Sequence, residues 1–356
     1  MADEILIDGS SGEGGGQILR TALTLSLLTG TPFCMTNIRS RRPNPGLRNQ
    51  HLQCLRAAAA ISRGKMDGAT LRSPVVRFKP GKVRQGVYKF EIGTAGSTGL
   101  LLQTLFLPLS LLGGGSELVL RGGTHVPWAP SFAFLEDGWL YFLKRIGFRI
   151  FLQLKRPGFF PRGGGEIWVG IRPAAELTPL PLARRGEVLR IQARSVHWGL
   201  GSDFGARQSK AARAFLAEEE YGLKFEDLEQ ESSSPGGAFS LVGFFENGRC
   251  CYTALSDGKR SPESVASEAC MRFLAFLHDR AAVDEYTADQ LLLPLALAEG
   301  ESEFTTVKVT RHLLTNRDIL CRFLPVGIVI EGEIGEPGRV RIRGRRRGRP
   351  PRFSLG

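Results

Sequence analysis

No paired-cysteine signature occurs in this sequence. Its six cysteines (Cys34, Cys54, Cys250, Cys251, Cys270 and Cys321) form no CxxC pair and keep no regular spacing. They are expected to be reduced thiols of a cytoplasmic protein, which excludes a disulfide framework or a cysteine-held zinc site. No apolar run has the roughly 20 residues that a membrane span needs. The longest, Leu100–Leu112, is broken by Gln103, Thr104, Pro108 and Ser110. The opening MADEILIDGS is acidic and short of apolar length, so no secretory signal is expected. The five histidines offer neither HExxH nor a Ser-His-Asp arrangement, and the glycine turn at 14–16 is not followed by Gly-Lys-Ser/Thr. Zinc-protease, serine-hydrolase and Walker-type signatures are therefore missing.

Hydrophobic residues make up 42% of the 356, enough for a sizeable core, so global disorder is excluded. Charge is plentiful and unevenly placed. The chain carries 47 Lys+Arg and 35 Asp+Glu, a net of +12 that points to a polyanionic partner. Residues 38–89 hold thirteen bases and one acid, whereas residues 217–303 hold eighteen acids and six bases. The stretch 339–356 holds eight arginines and no acid. Solvated faces account for many such runs. Rich in Arg, Gly and Pro, the last stretch reads as an unfolded tail suited to phosphate contacts.

Strand and helix signals alternate from the start. Glu4–Asp8 reads as a strand, Gln17–Leu28 as an apolar helix, Phe33–Arg39 as a strand and Leu47–Ile61 as a helix. Strand-like pieces follow at Val75–Phe78 and Val87–Ile92, then a helix over Thr98–Leu112 and a strand at Glu117–Leu120. A helix over Ser131–Ile146 and strands at Arg149–Leu154 and Gly165–Ile171 complete the pattern. The rhythm is that of a multi-unit α/β architecture with glycine-rich corners. The Pro-rich segment 177–187 reads as a linker. Beyond it, strands and helices from Val188 to Asp279 form a compact unit, and the first rhythm resumes at Val283. An inserted domain explains this better than a tandem pair. The boundaries expected are a large domain over 1–184 and 281–338, an insert over 185–280, and a tail over 339–356.

Several segments could carry chemistry. Glu13-Gly-Gly-Gly-Gln17-Ile-Leu-Arg20 joins a strand to a helix, where bare backbone N–H groups and the helix N-terminus favour an anion. Glu13 could hold a metal there; a tight structural turn is the competing explanation. Arg39-Ser-Arg41-Arg42-Pro-Asn-Pro-Gly-Leu-Arg48-Asn-Gln50-His51 packs four arginines, a glutamine and a histidine into thirteen positions, and guanidinium forks grip phosphate bidentately. A solvated basic loop is its plain alternative. Gln103 is an odd choice inside an apolar helix, and the prolines of Gly122–Pro130 make a rigid loop wall. Glu285-Tyr286-Thr-Ala-Asp289-Gln290 opens a helix in which Tyr286 and Gln290 share a face, suited to a purine base or simply a polar first turn. His312, in Arg311-His312-Leu-Leu-Thr-Asn316, follows a strand. By itself a lone histidine is most often structural.

In order along nearly the whole chain, EGGGQILR, the arginine loop ending in GLRNQH, GSTGLLLQ, GGT-x-x-P-x-A-P, GFFPRGGG, EYTADQLLLPLALA and HLLTN resemble the RNA 3′-terminal phosphate cyclase family. The resemblance implies an α+β fold: a large domain of three βαβαββ repeats, similar to the C-terminal domain of a translation initiation factor, with a small inserted α/β domain. It implies that ATP converts an RNA 3′-phosphate end to a 2′,3′-cyclic phosphate through a histidine–AMP adduct and an RNA–adenylate. It places the nucleophile at His312 and a Mg²⁺ or Mn²⁺ ion at Glu13. Arg20, Arg39, Arg42, Gln50 and His51 are implied to hold phosphates of ATP or the RNA end. Gln103, Pro130, Tyr286, Asp289 and Gln290 are implied to form the adenosine pocket, with Tyr286 opposite Pro130. Ser40-Arg41 is bulkier and more basic than the family pattern, and the Arg-rich tail falls outside it.

A catalytically silent cyclase-like protein of ribosome assembly is the main competing reading; the histidine of HLLTN speaks against it. Enolpyruvyl transfer on related repeated units would need neither HLLTN nor a stacking tyrosine. A pure RNA-binding module rests on charge alone.

Overall fold

A computed structural model describes residues 4–219 and 221–344. It is a mixed α+β structure with four four-stranded sheets. The first part runs β1 (Ile5–Asp8), α1 (Gly16–Thr29), β2 (Phe33–Thr36), α2 (Asn49–Ser62), β3 (Lys65–Asp67) and β4 (Val76–Lys79). The second runs β5 (Val87–Glu91), α3 (Thr98–Ser110), β6 (Ser116–Gly122), a π-helical stretch Phe134–Trp139 leading into α4 (Leu140–Ile146), β7 (Arg149–Arg156) and β8 (Gly165–Arg172). A two-residue strand, β9 (Pro181–Leu182), comes next. A separate sheet is then built from β10 (Val188–Trp198), α5 (Phe204–Phe215), β11 (Leu223–Glu229), β12 (Gly236–Phe245), β13 (Arg249–Ser256) and α6 (Pro262–His278). The chain finishes with α7 (Glu285–Leu297), β14 (Glu301–Thr306), α8 (Arg311–Phe323), β15 (Gly327–Glu331) and β16 (Gly338–Arg343).

Three of the sheets have one plan. Their orders are β1-β2-β4-β3, β5-β6-β8-β7 and β9-β14-β16-β15. In each, the first pair is parallel and the next two pairs antiparallel. The fourth sheet differs, with the order β11-β10-β12-β13. Helices α1, α3 and α7 are buried over most of their lengths because they pack on one another's neighbours as well as on sheets. A single core joins Leu23 of α1, Leu105 of α3, Trp139, Leu292 of α7 and Leu320 of α8. At about 2 kcal/mol for each fully buried side chain of this size, such contacts fix the helices against each other. The fourth sheet keeps a core of its own, with Ile191, Phe239, Val265 and Phe273. Among the described residues no helix is long and apolar enough to cross a membrane.

Five segments differ from the sequence expectation. The helix expected over 131–146 is a π-helical stretch through Trp139 and α-helical only from Leu140; Gly138 lets that backbone lie against Cys251 of β13. The linker expected at 177–187 contains β9, whose Pro181 and Leu182 pair in parallel with Glu303 and Phe304. Strands β3 and β11 carry mostly charged residues on exposed edges and were not expected. The tail expected to be unfolded from Arg339 begins with β16, an inner strand of its sheet. Val340 and Ile342 point into the core, while Arg341 pairs with Glu303 and Glu331, and Arg343 with Glu301. Alternation of period two outweighs the Arg-rich composition there. The rest of the expected tail, 345–356, lies outside the described residues.

Candidate active site

The site forms where helices begin. After β1, the turn Gly9–Gly15 folds onto α8: Gly12, at φ +57°, leaves no room for a Cβ beside Thr315 Oγ1, and the Glu13 N–H donates to that oxygen at 3.0 Å. Glu13 is thus brought one helical turn from His312. Its Oε1 accepts from the Gln17 N–H at 3.2 Å. Its Oε2 and its backbone carbonyl each accept from Arg42 Nη2 at 2.9 Å. Arg20 Nη2 donates to Gln17 Oε1 at 2.6 Å, and burial lowers the Arg20 pKa.

His51 lies at the start of α2, where its Nδ1 accepts from the Arg48 N–H at 3.0 Å. The proton of the neutral ring therefore sits on Nε2, which faces Gly16 and Arg20. Burial, then the Arg20, Arg39 and Arg48 charges, push its pKa down to about 3. His51 is a neutral donor at physiological pH.

His312 is the second residue of α8, whose cap residue Thr310 accepts from the Leu313 N–H at 2.9 Å. His312 is an exposed residue, with part of its ring reached by solvent. Burial of its remaining side still comes first in lowering its pKa; Glu13 raises it, and Arg20 and Arg42 lower it further. The result is an accessible, neutral imidazole beside a carboxylate and two guanidiniums, a constellation suited to nucleophilic attack on a phosphorus centre.

On α7, the cap residue Asp284 accepts from the Tyr286 and Thr287 N–H groups at 3.0 and 2.8 Å. Burial first, and then Glu285, raise its pKa to about 7. The half-exposed Tyr286 ring meets Phe134 and Tyr252 edge-on at 6.5 and 6.2 Å, and the Arg272 guanidinium donates to its hydroxyl. Burial raises the Asp289 pKa well above the carboxylate range, and its Oδ1 accepts from Thr310 Oγ1. Asn316 ties three helices together. Its Nδ2 donates to the Asp289 carbonyl at 2.9 Å, and its Oδ1 accepts from Thr21 Oγ1 at 2.8 Å and Gln17 Nε2 at 3.2 Å.

A cavity of about 40 Å³ lies between these helices, lined by Arg20, Gln103, Trp139, Asp289, Gln290 and Asn316 among others. Gln103 Nε2 and Trp139 Nε1 are buried at its wall with no hydrogen-bond partner among the described residues. Two unmet donors beside acceptors make this a place for polar atoms, since leaving such groups dry costs about 1–3 kcal/mol each.

Of the residues singled out in the sequence, Glu13, Arg20, Arg42, His51 and His312 form one cluster. Gln103, Asp289 and Gln290 gather round the cavity, and Arg20 belongs to both groups. Four others face elsewhere in this conformation. Arg39 Nη1 donates to the Asn44 carbonyl at 2.7 Å, Gln50 Nε2 to the Ser97 carbonyl at 3.2 Å, Pro130 packs over Gly99, and Tyr286 packs against Phe134. Sequence reasoning passed over Gln17, Thr310, Asn316 and Trp139. Gln17 and Asn316 sit in motifs already recognised and Thr310 directly precedes one, readable as a helix cap, while Trp139 carried no signal beyond being apolar. Among the described residues, no three His, Cys, Asp or Glu side chains gather as a metal cage.

The His51 shift has a measurable consequence. Its folded pKa of about 3 lies below the ordinary 6.5, so below pH 6.5 the unfolded chain binds the extra proton and stability falls until about pH 3. One such proton is worth about 1.4 kcal/mol per pH unit. Asp284, raised to about 7, acts oppositely between its ordinary value and pH 7, so the test is a difference. Chemical denaturation of His51→Gln should show a shallower loss of stability than wild type between pH 6 and 4. Parallel curves would show that His51 is not held neutral.

A sequence model of the RNA 3′-terminal phosphate cyclase family matches residues 11–330. The chain belongs to that family. It is 42% identical over 333 residues to an RNA 3′-terminal phosphate cyclase of Caldivirga maquilingensis, covering 91% of this chain and 94% of that one. To the protein of the same name from Salmonella agona it is 41% identical over 331 residues, covering 93% and 95%. To that of Nostoc punctiforme it is 38% identical over 326 residues, covering 90% and 94%. A solved structure of the enolpyruvyl transferase NikO from Streptomyces tendae aligns with all of this chain and half of its own at 12% identity, with a TM-score of 0.36, too slight to bear on fold or function. Membership in the cyclase family makes the protein an enzyme of the ligase type.

Proposed function

We propose that the protein uses ATP to convert an RNA 3′-phosphate to a 2′,3′-cyclic phosphate, with His312 as nucleophile. The observation that carries this reading is the neutral, accessible His312 beside Glu13, Arg20 and Arg42. An imidazole nitrogen attacks the α-phosphorus of ATP; the N–P bond forms as the bond to pyrophosphate breaks. An oxygen of the RNA 3′-phosphate then takes the adenylate and frees the imidazole. The adjacent ribose 2′-OH attacks the activated RNA phosphorus, loses its proton, and expels AMP. Arg20, Arg39 and Arg42 would stabilise charge on the transferring phosphoryl groups, with Gln50 and His51 as neutral donors. Gln103, Asp289 and Gln290 would take the polar edge of adenosine, and Pro130 and Tyr286 its faces. For Arg39 and Gln50 this requires release from the Asn44 and Ser97 carbonyls, and for Pro130 and Tyr286 rearrangement of the small cavity.

A divalent ion fits this donor set in one way. A single carboxylate, Glu13, suits Mg²⁺ or Mn²⁺ held mainly by phosphate oxygens and water. When bound it would supply charge neutralisation on the triphosphate. Arg42 occupies one Glu13 oxygen, so the chain itself contributes a competing cation at that position.

The three sheets of shared plan support a domain of three βαβαββ units resembling a translation initiation factor domain, spanning 1–184 and resuming at 281. We place the β10–α6 segment, 185–280, as its insert. The silent-relative reading remains distinct in outcome. Incubation with α-labelled ATP and Mg²⁺ should leave acid-labile, base-stable label on the protein, and RNA with a 3′-phosphate should chase it off. Unlabelled wild-type protein would favour the silent relative.

A further inference from the structure

Beside the phosphate cluster runs an open groove of about 370 Å³ that shares only Gln50 with the residues assigned to the reaction. Its walls are Arg48, Gln50, Leu71, Arg72 and Thr94, and no carboxylate lines it. Backbone hydrogen bonds hold the walls together: the Arg72 N–H donates to the Leu47 carbonyl at 2.8 Å, and the Leu47 N–H to the Ser73 carbonyl at 3.0 Å. Arg72 is exposed, and Leu71 offers an apolar surface that is 52% exposed. The groove begins at Gln50, whose Nε2 reaches the Ser97 carbonyl, and Gln50 adjoins His51, whose Nε2 faces Arg20. One end therefore abuts the phosphate cluster while the other opens to solvent.

We propose that this groove holds the RNA strand immediately 5′ of the reacting end, with Arg48 and Arg72 on backbone phosphates and Leu71 beneath a sugar or base. This assignment rests on the reading that the substrate is an RNA 3′-phosphate. Two arginines on backbone-held walls with no acid in the lining, an exposed apolar side chain and continuity with the cluster suit a groove that takes a single strand. ATP has its phosphates at the His312 end and no further phosphodiester to place here.

The test uses the full chain and a 3′-phosphorylated RNA hexamer read by fluorescence anisotropy across a salt series. Arg48→Gln/Arg72→Gln should lose at least tenfold in affinity at low salt. The slope of log affinity against log salt should shrink by about 1.4, at roughly 0.7 for each lost single-strand contact. A nucleoside 3′-phosphate, which has no upstream phosphodiester, should compete equally well against wild type and variant. Unchanged hexamer affinity and slope in a folded variant would overturn the proposal. So would an equal loss for hexamer and mononucleotide, since the arginines would then grip the terminal phosphate itself. Should the double variant fail to fold, Arg72→Gln alone, on an exposed loop, should show about half the slope change. Protein–AMP formation by wild type reads the underlying reaction separately: hexamer binding through the groove without any adduct would keep the groove and remove the cyclase reading.

Discussion

His312→Ala should abolish labelling of the protein by α-labelled ATP, by at least about 10³-fold, while leaving the melting temperature within a degree or two of wild type. Loss of a nucleophile removes a covalent intermediate altogether, so no partial rate is expected from neighbouring groups. Stability should be spared because His312 is an exposed residue near the start of α8 with no side-chain hydrogen bond to lose among the described residues. Glu13, Arg20 and Arg42 would remain in place, held by Thr315, Gln17 and each other. ATP should still bind the variant, so loss of label with retained binding separates a chemical role from a structural one. Persistence of label in the variant would move the nucleophile elsewhere and sink the assignment.

Truncation at two points six residues apart should give opposite results. A chain ending at Gly344 should fold and melt close to wild type, because every described element is present. A chain ending at Gly338 should fail to fold or lose most of its stability. It lacks β16, which bonds to both β14 and β15 and buries Val340 and Ile342. The two side chains alone account for about 3–6 kcal/mol. The loss of two ladders comes on top, against a typical total of about 5–15 kcal/mol. Circular dichroism melts of the two truncations decide the matter. A stable, active chain ending at Gly338 would contradict the sheet order.

The sequence made the alternating elements and the ordered motifs legible because both are local: periodicity reports a helix or strand face, and glycine turns report where helices start. Glu13, Arg20, His51 and His312 were recoverable because each stands inside a motif. Asn316 was visible in HLLTN, yet its hydrogen bonds to Thr21 and Asp289 join residues 295 and 27 positions away, and no local pattern reports such distances. β9 was hidden by proline, tolerated there because a two-residue edge strand needs few ladder bonds. β16 was hidden by composition, since arginines on its outer face dominated the count while the inner face held only Val340 and Ile342. The π-helical stretch packs its Gly138 against β13, a tertiary contact that local periodicity does not report.

The β10–α6 segment has its own core but does not stand apart. Tyr252 donates to Glu285 at 3.0 Å in the first turn of α7, Arg194 pairs with Glu136 at 2.9 Å, and Ser131 meets Thr253 at 2.8 Å. Glu285 adjoins Tyr286, Ser131 adjoins Pro130, and Glu136 lies in the π-helical stretch whose Phe134 meets the Tyr286 ring. The segment is therefore a brace on the two walls expected to close over a base. The insert and the large domain therefore share one boundary at the start of α7 and the Pro130 loop, so a substitution at Tyr252 or Thr253 in the insert's own sheet bears on Tyr286 and Pro130 as directly as one beside them in sequence.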